Sequence, residues 1–115
     1  MRRTRWLGKG EREIQIGDGD EAVRVVVREL TARDVRELRA MLRDELASAG
    51  EAVAIERWGC AVVRAGTVRV EPGYERGDGT PITTGADLAE HGDADVIDGV
   101  FRAVWPEAEA AAGNG

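Results

Sequence analysis

Thiols, imidazoles and aromatic rings are scarce in this chain of 115 residues, which has one cysteine, one histidine, three tryptophans, one tyrosine and one phenylalanine. A lone Cys60 cannot close an internal disulfide, so the fold depends on packing, and a reducing cytoplasm is the expected compartment. With His91 as its only imidazole, the chain has few ways to build a proton-transferring pair. No run approaches the roughly 20 apolar residues of a membrane span. The opening segment through Gly8 has charge but no apolar stretch behind it, so no secretory leader is expected. Positive charge is in deficit: 22 acidic against 16 basic side chains leave a formal net charge of −6. That balance argues against a phosphate-neutralising surface, although Arg2, Arg3, Arg5 and Lys9 make the start locally basic. Apolar side chains, at 43% of the residues, are plentiful. They suffice for one core in a single α+β domain over residues 1–106, with 107–115 as a frayed C-terminal tail.

The pattern predicts an N-terminal β-hairpin followed by about four helices, with one short additional strand. Glu13-Ile14-Gln15-Ile16 alternates, Gly17-Asp18-Gly19-Asp20 reverses the chain, and Val23, Val25 and Val27 recur at period two. Val26 breaks the alternation, which implies that the outer face of the hairpin also meets something. At Thr31 the period changes. Thr31 with Asp34 resembles a capping box, and Leu30 before it is placed to staple onto Val35. Val35, Leu38, Leu42 and Leu46 then follow at helical steps, and Gly50 supplies the stop. Over 53–65, Ile55, Trp58, Val62 and Ala65 keep the same spacing, with Gly66 as a closing C′ residue. Gly59 and the run Cys60-Ala61-Val62-Val63 leave helix and buried strand both open there. Thr67–Glu71 alternates as a short strand, and 72–81, rich in Gly and holding two prolines, is an exposed loop. Thr84 with Asp87 opens a short helix that Gly92 ends. Asp93 or Asp95 caps a last helix carrying Val96, Ile97, Val100, Phe101, Val104 and Trp105, which Pro106 terminates.

Few of these residues have a pattern that chemistry would need. His91 sits at a helix end, where an imidazolium meets the dipole favourably. Cys60 lies in an apolar run with no sequence sign of a histidine partner. Asp87, Glu90, His91, Asp93, Asp95 and Asp98 are dense in acid, yet position five of a calcium loop counted from Asp93 is Ile97, so helix caps explain them better. The Gly17–Glu21 loop is read as a turn for the same reason. Gly8-Lys9-Gly10 and Gly77-Asp78-Gly79 lack the strand-to-helix context of a phosphate cradle. Arg33, Arg36, Arg39 and Arg43 are interleaved with Asp34, Glu37, Asp44 and Glu45, which predicts a solvated, ion-paired face. No catalytic, cofactor or metal residue is therefore assigned, and the chain is expected not to be an enzyme.

The apolar stripe of the last helix allows two readings, core and partner groove. On the second, Val100, Phe101, Val104 and Trp105 are anchors, with Trp58 and Leu42 as support or groove wall. Trp105→Asp would then abolish partner capture and leave the melt nearly unchanged.

The phrase Val25-Val26-Val27-Arg28-Glu29-Leu30-Thr31-Ala32-Arg33-Asp34-Val35-Arg36-Glu37-Leu38 resembles the opening of tail assembly chaperones of long-tailed bacteriophages, where a hairpin strand runs into the first helix. Ile82–Leu88 followed by Asp95–Phe101 is similar to their C-terminal half, in which a short acidic helix precedes an apolar one. The loop at 72–81 has no counterpart in that pattern. The resemblance implies a non-enzymatic protein of virion morphogenesis acting in the host cytoplasm. It would bind the tape measure protein, recruit tail tube subunits and self-associate reversibly, needing no cofactor, nucleic acid or membrane. The alternative is a structural virion or adaptor protein, a tail or head-tail completion component that remains in the particle.

Overall fold

Ile14, Val23, Val25 and Val27 form one face of a hairpin and are all buried, so the alternating aliphatic pattern becomes the floor of the core. The computed structural model describes residues 2–8 and 10–105. Strand β1 (Arg2–Gly8) precedes β2 (Glu11–Ile16) and β3 (Val23–Arg28). Helices α1 (Ala32–Ala49) and α2 (Glu51–Gly66) follow, then β4 (Thr67–Val70), α3 (Gly85–His91) and α4 (Ala94–Val104). The strands form one antiparallel sheet in the order β1-β2-β3-β4. Helix α4 packs on β2 and β3, α3 packs on β4, and α2 lies against α1, α3 and α4. This is the α+β arrangement that the sequence predicts, with one strand more. The expected tail at 107–115 lies outside the described residues, as does Lys9.

The additional strand is β1, which pairs with β2 across Gly8 and Gly10, both at positive φ (85° and 74°). Its basic composition hid it, because an edge strand needs no apolar alternation and is often protected by charge. Val26 is fully buried on the outer face, in register with Glu13 on one side and Arg69 on the other. The register between β3 and β4 shifts at Val26/Val27, leaving Val68 of β4 as the extra residue, 38% exposed.

The box at the start of α1 forms in both directions. Asp34 N–H donates to Thr31 Oγ1 (3.1 Å), and Thr31 N–H donates to Asp34 Oδ2 (3.0 Å). The Thr31 amide, with Arg28 at 3.0 Å, holds the Asp34 carboxyl below its ordinary value. Stability from a depressed carboxylate pKa is present above the unfolded value near 4 and is lost as pH falls through the lower folded one. Thr31→Ala is therefore expected to cost about 1 kcal/mol at neutral pH. Asp34→Asn should flatten the stability curve below about pH 4, which urea titrations across that range would show.

Residues 53–65 are helical throughout. Gly66 ends α2 for a different reason from the one expected: it has no positive φ, but a Cβ there would lie 2.3 Å from Val104 Cγ1. The residue permits α4 to approach. Gly59 is the opposite case, since a Cβ would meet nothing within 4 Å. Gly59→Ala should therefore raise stability by about 1 kcal/mol, read as a rise of several degrees in Tm.

The loop after β4 is tied down. Glu75 bridges Pro81, Ile82 N–H donates to Tyr74 O, and the Tyr74 hydroxyl accepts from Asp93 N–H at 2.7 Å. Burial pushes the Tyr74 hydroxyl pKa up.

Candidate functional site

Helix α2 has more apolar side chains than its neighbours cover. Ala54, Val62 and Val63 are buried, whereas Val53 and Ile55 remain 41% and 49% exposed. Ile55, Trp58, Gly59 and Cys60 of α2 face Ala89 of α3 and Ile97 and Phe101 of α4 across an open groove of about 590 Å³. Three elements hold it in place. Thr84 Oγ1 accepts from Asp87 N–H (3.0 Å) to start α3, and hydrogen bonding of the Asp87 carboxyl to the Thr84 side chain holds that carboxyl below its ordinary value. Gly92 then turns the chain where a Cβ would sit 2.5 Å from Leu88 O. Helix α4 follows from Ala94 and is anchored at its far end by Arg12 of β2, whose Nη2 donates to Ala103 O. That bond satisfies one of the carbonyls that a helix C-terminus leaves orphaned.

The groove floor is aromatic. Trp58 meets Phe101 edge-on at 5.2 Å between centroids and Trp105 edge-on at 4.9 Å. Trp58 and Phe101 are half-buried and reach the groove, while Trp105 is 4% exposed and lies beneath them. Trp58 Nε1 is buried and has no acceptor among the described residues. The rim carries Glu56, Glu90 and Asp98, so an apolar floor is bordered by negative charge.

The six residues expected to bind a partner therefore separate. Val100, Val104 and Trp105 belong to the core at 0%, 5% and 4% exposure, because the stripe of α4 is wide enough to cover the sheet and α2 together. Only Phe101 and Trp58 reach the groove. Leu42 is half-buried on α1, away from its lining. Gly59, Ile55 and Ile97 were missed. Their signal was present in the poor helix former in the middle of α2, which leaves a gap over the aromatic floor.

The chemistry-bearing side chains have local duties. Cys60 Sγ donates to Ala89 O at 3.5 Å. His91, the last residue of α3, lies 3.8 Å from Glu90. Asp98 pairs with Arg102 at 2.9 Å. The acidic cluster caps less than expected: Thr84 caps α3, and the Asp93 side chain makes no capping bond to α4. Among the described residues no group of three or more His, Cys, Asp or Glu is placed to hold a metal ion, and no helix is long and apolar enough to cross a membrane. The arginine face of α1 follows expectation only in part. Arg33 pairs with Glu37 at 2.9 Å, whereas Arg36 and Arg43 make no ion pair or hydrogen bond among the described residues.

Comparison with protein-family models, with curated proteins and with solved structures finds no match to this chain.

Proposed function

We propose that this chain is a non-enzymatic binding protein, a tail assembly chaperone that holds an amphipathic helix of a phage tape measure protein in the host cytoplasm and brings tail tube subunits to it. The observation that supports this reading is the groove of α2, α3 and α4. It has an aromatic floor of Trp58 and Phe101 and an Ile55 wall that is 49% exposed. An apolar helix laid into such a groove buries its i, i+3 and i+4 side chains without need of a cofactor. The acidic rim keeps the free protein soluble and favours helices flanked by lysine or arginine.

Gly59 makes the reading testable with little risk to the fold, because the space above it is open. Gly59→Gln should leave the thermal melt unchanged or raised and reduce co-purification of a co-expressed tape measure protein at least about tenfold. Undiminished capture by that variant would show that the helix is held elsewhere. The protein should also be missing from purified particles by mass analysis; its presence there at full stoichiometry would favour the adaptor alternative.

A further inference from the structure

The two edges of the sheet are built differently. Strand β4 is blunted: it has four residues, its pairing with β3 shifts register at Val26/Val27, and on its far side Val70 N–H donates to Thr83 O at 2.9 Å. Strand β1 has seven residues, against six in each of β2 and β3, and keeps unbroken register with β2 from Arg2 to Trp6. Among the described residues no strand pairs with its outer side, so alternate N–H and C=O groups of β1 point away from the sheet. Residues 4–8 are all exposed. Thr4 stands in register with the buried Ile14, which puts Thr4 and Trp6 on the helix side of the sheet. Trp6 is 65% exposed there, even with the Arg12 guanidinium 5.4 Å over its ring. Edges are usually protected by shortness, proline or a lack of apolar bulk. Strand β1 has none of these, and its charge is of one sign: three arginines and no acid, in a chain of net charge −6.

We infer that the open edge of β1 takes up an acidic, extended segment of a partner protein as a fifth strand. Main-chain pairing supplies the affinity and the alternating side chains supply the selectivity. Arg5 has Glu13 in register on one side and no strand on the other, so an acid of the added strand stands opposite it. The neighbouring residues of that strand face the helix side, where an apolar one packs on Trp6. Charge complementarity selects this occupant over a second copy of the chain, which would set one arginine-rich strand against another. A nucleic acid would need more phosphates neutralised, and Glu11 and Glu13 of β2 oppose it. The α2 groove is lined by no residue of β1, so the edge is a site apart from the helix seat proposed above and does not depend on it.

The test is a titration of the full chain with a capped synthetic peptide of about eight residues in which glutamate and valine alternate. A second peptide has lysine for each glutamate, and two more carry N-methyl groups on alternate amides, one in each register. The glutamate peptide should bind at least about tenfold more tightly than the lysine one, and at least one N-methylated form should lose about tenfold. Binding should slow amide hydrogen exchange at every second residue over 4–8, because those amides gain acceptors. Arg5→Glu and Trp6→Thr should each weaken binding with an unchanged melt, since both side chains are exposed. Gly59→Gln should leave it untouched, so failure here and failure of the α2 groove are told apart. No binding of the glutamate peptide, equal affinity for the lysine peptide, binding kept by both N-methylated forms, or unslowed exchange in β1 would overturn the proposal. So would tighter binding of a single-stranded oligonucleotide, or exchange in β1 that slows with protein concentration alone, which would make a second copy the occupant. A tenfold gain in peptide affinity in the full-chain variant Glu107→Gln with Glu109→Gln would overturn it as well, by making the chain's own acids the occupant.

Discussion

Trp105→Asp is expected to abolish cooperative unfolding at room temperature, with a loss of more than about 4 kcal/mol. Truncating a buried tryptophan alone costs about 3–5 kcal/mol, and a carboxylate in the space left behind must be protonated or drag in water. Domains of this kind have only about 5–15 kcal/mol in hand. Trp105 is 4% exposed, stacks edge-on against Trp58 and lies under Arg39, so its loss opens the contact between α4 and α2. Circular dichroism on heating checks this directly. A melt close to that of the parent would put Trp105 at the surface, as the apolar stripe taken alone allows.

Gly66→Ala should destabilise by about 1–3 kcal/mol, although alanine is the better helix former by about 1 kcal/mol. The added Cβ would lie 2.3 Å and 2.7 Å from the two γ-methyls of Val104. Both α2 and α4 are held by further packing, so neither withdraws without loss. The cause can be isolated by a double-mutant cycle. Val104→Ala removes those methyls and is itself costly, but the pair Gly66→Ala with Val104→Ala should lose clearly less than the sum of the two. Strict additivity would mean that the close approach of the two helices is not what Gly66 serves. The contrast with Gly59→Ala, where the same change should stabilise, separates helix propensity from packing within a single helix.

These two glycines also show how much of the fold was legible. Sequence spacing marks where a helix runs and which of its faces is apolar, so the Thr31 cap, the hairpin and the α4 stripe could all be read directly. Spacing does not say which neighbour covers the face. Val100, Val104 and Trp105 carry the same signal as Phe101, yet three of them are core and one borders the groove, because the sheet lies under one side of α4 and α2 only partly covers the other. Gly66 reads as a cap because both a left-handed turn and a close helix approach demand glycine, and only the position of Val104 decides between them. Strand β1 went unseen because its pairing satisfies backbone groups, which leave no mark on the side-chain pattern. Arg12 is one cation among many until α4 ends beside it and leaves a carbonyl to be bonded.

The groove itself was half legible: Trp58 and Phe101 could be named as contact residues, while the open space between them depends on Gly59 and on the angle at which α3 leads into α4. Side-chain NMR of the chain with and without the proposed helical partner tests the central claim most directly. Binding should shift the methyls of Ile55 and Ile97 and the rings of Trp58 and Phe101, and should leave the buried methyls of Val25 and Val27 in place. Shifts confined to other surfaces, with those four side chains unmoved, would contradict the assignment of this groove as the partner's seat.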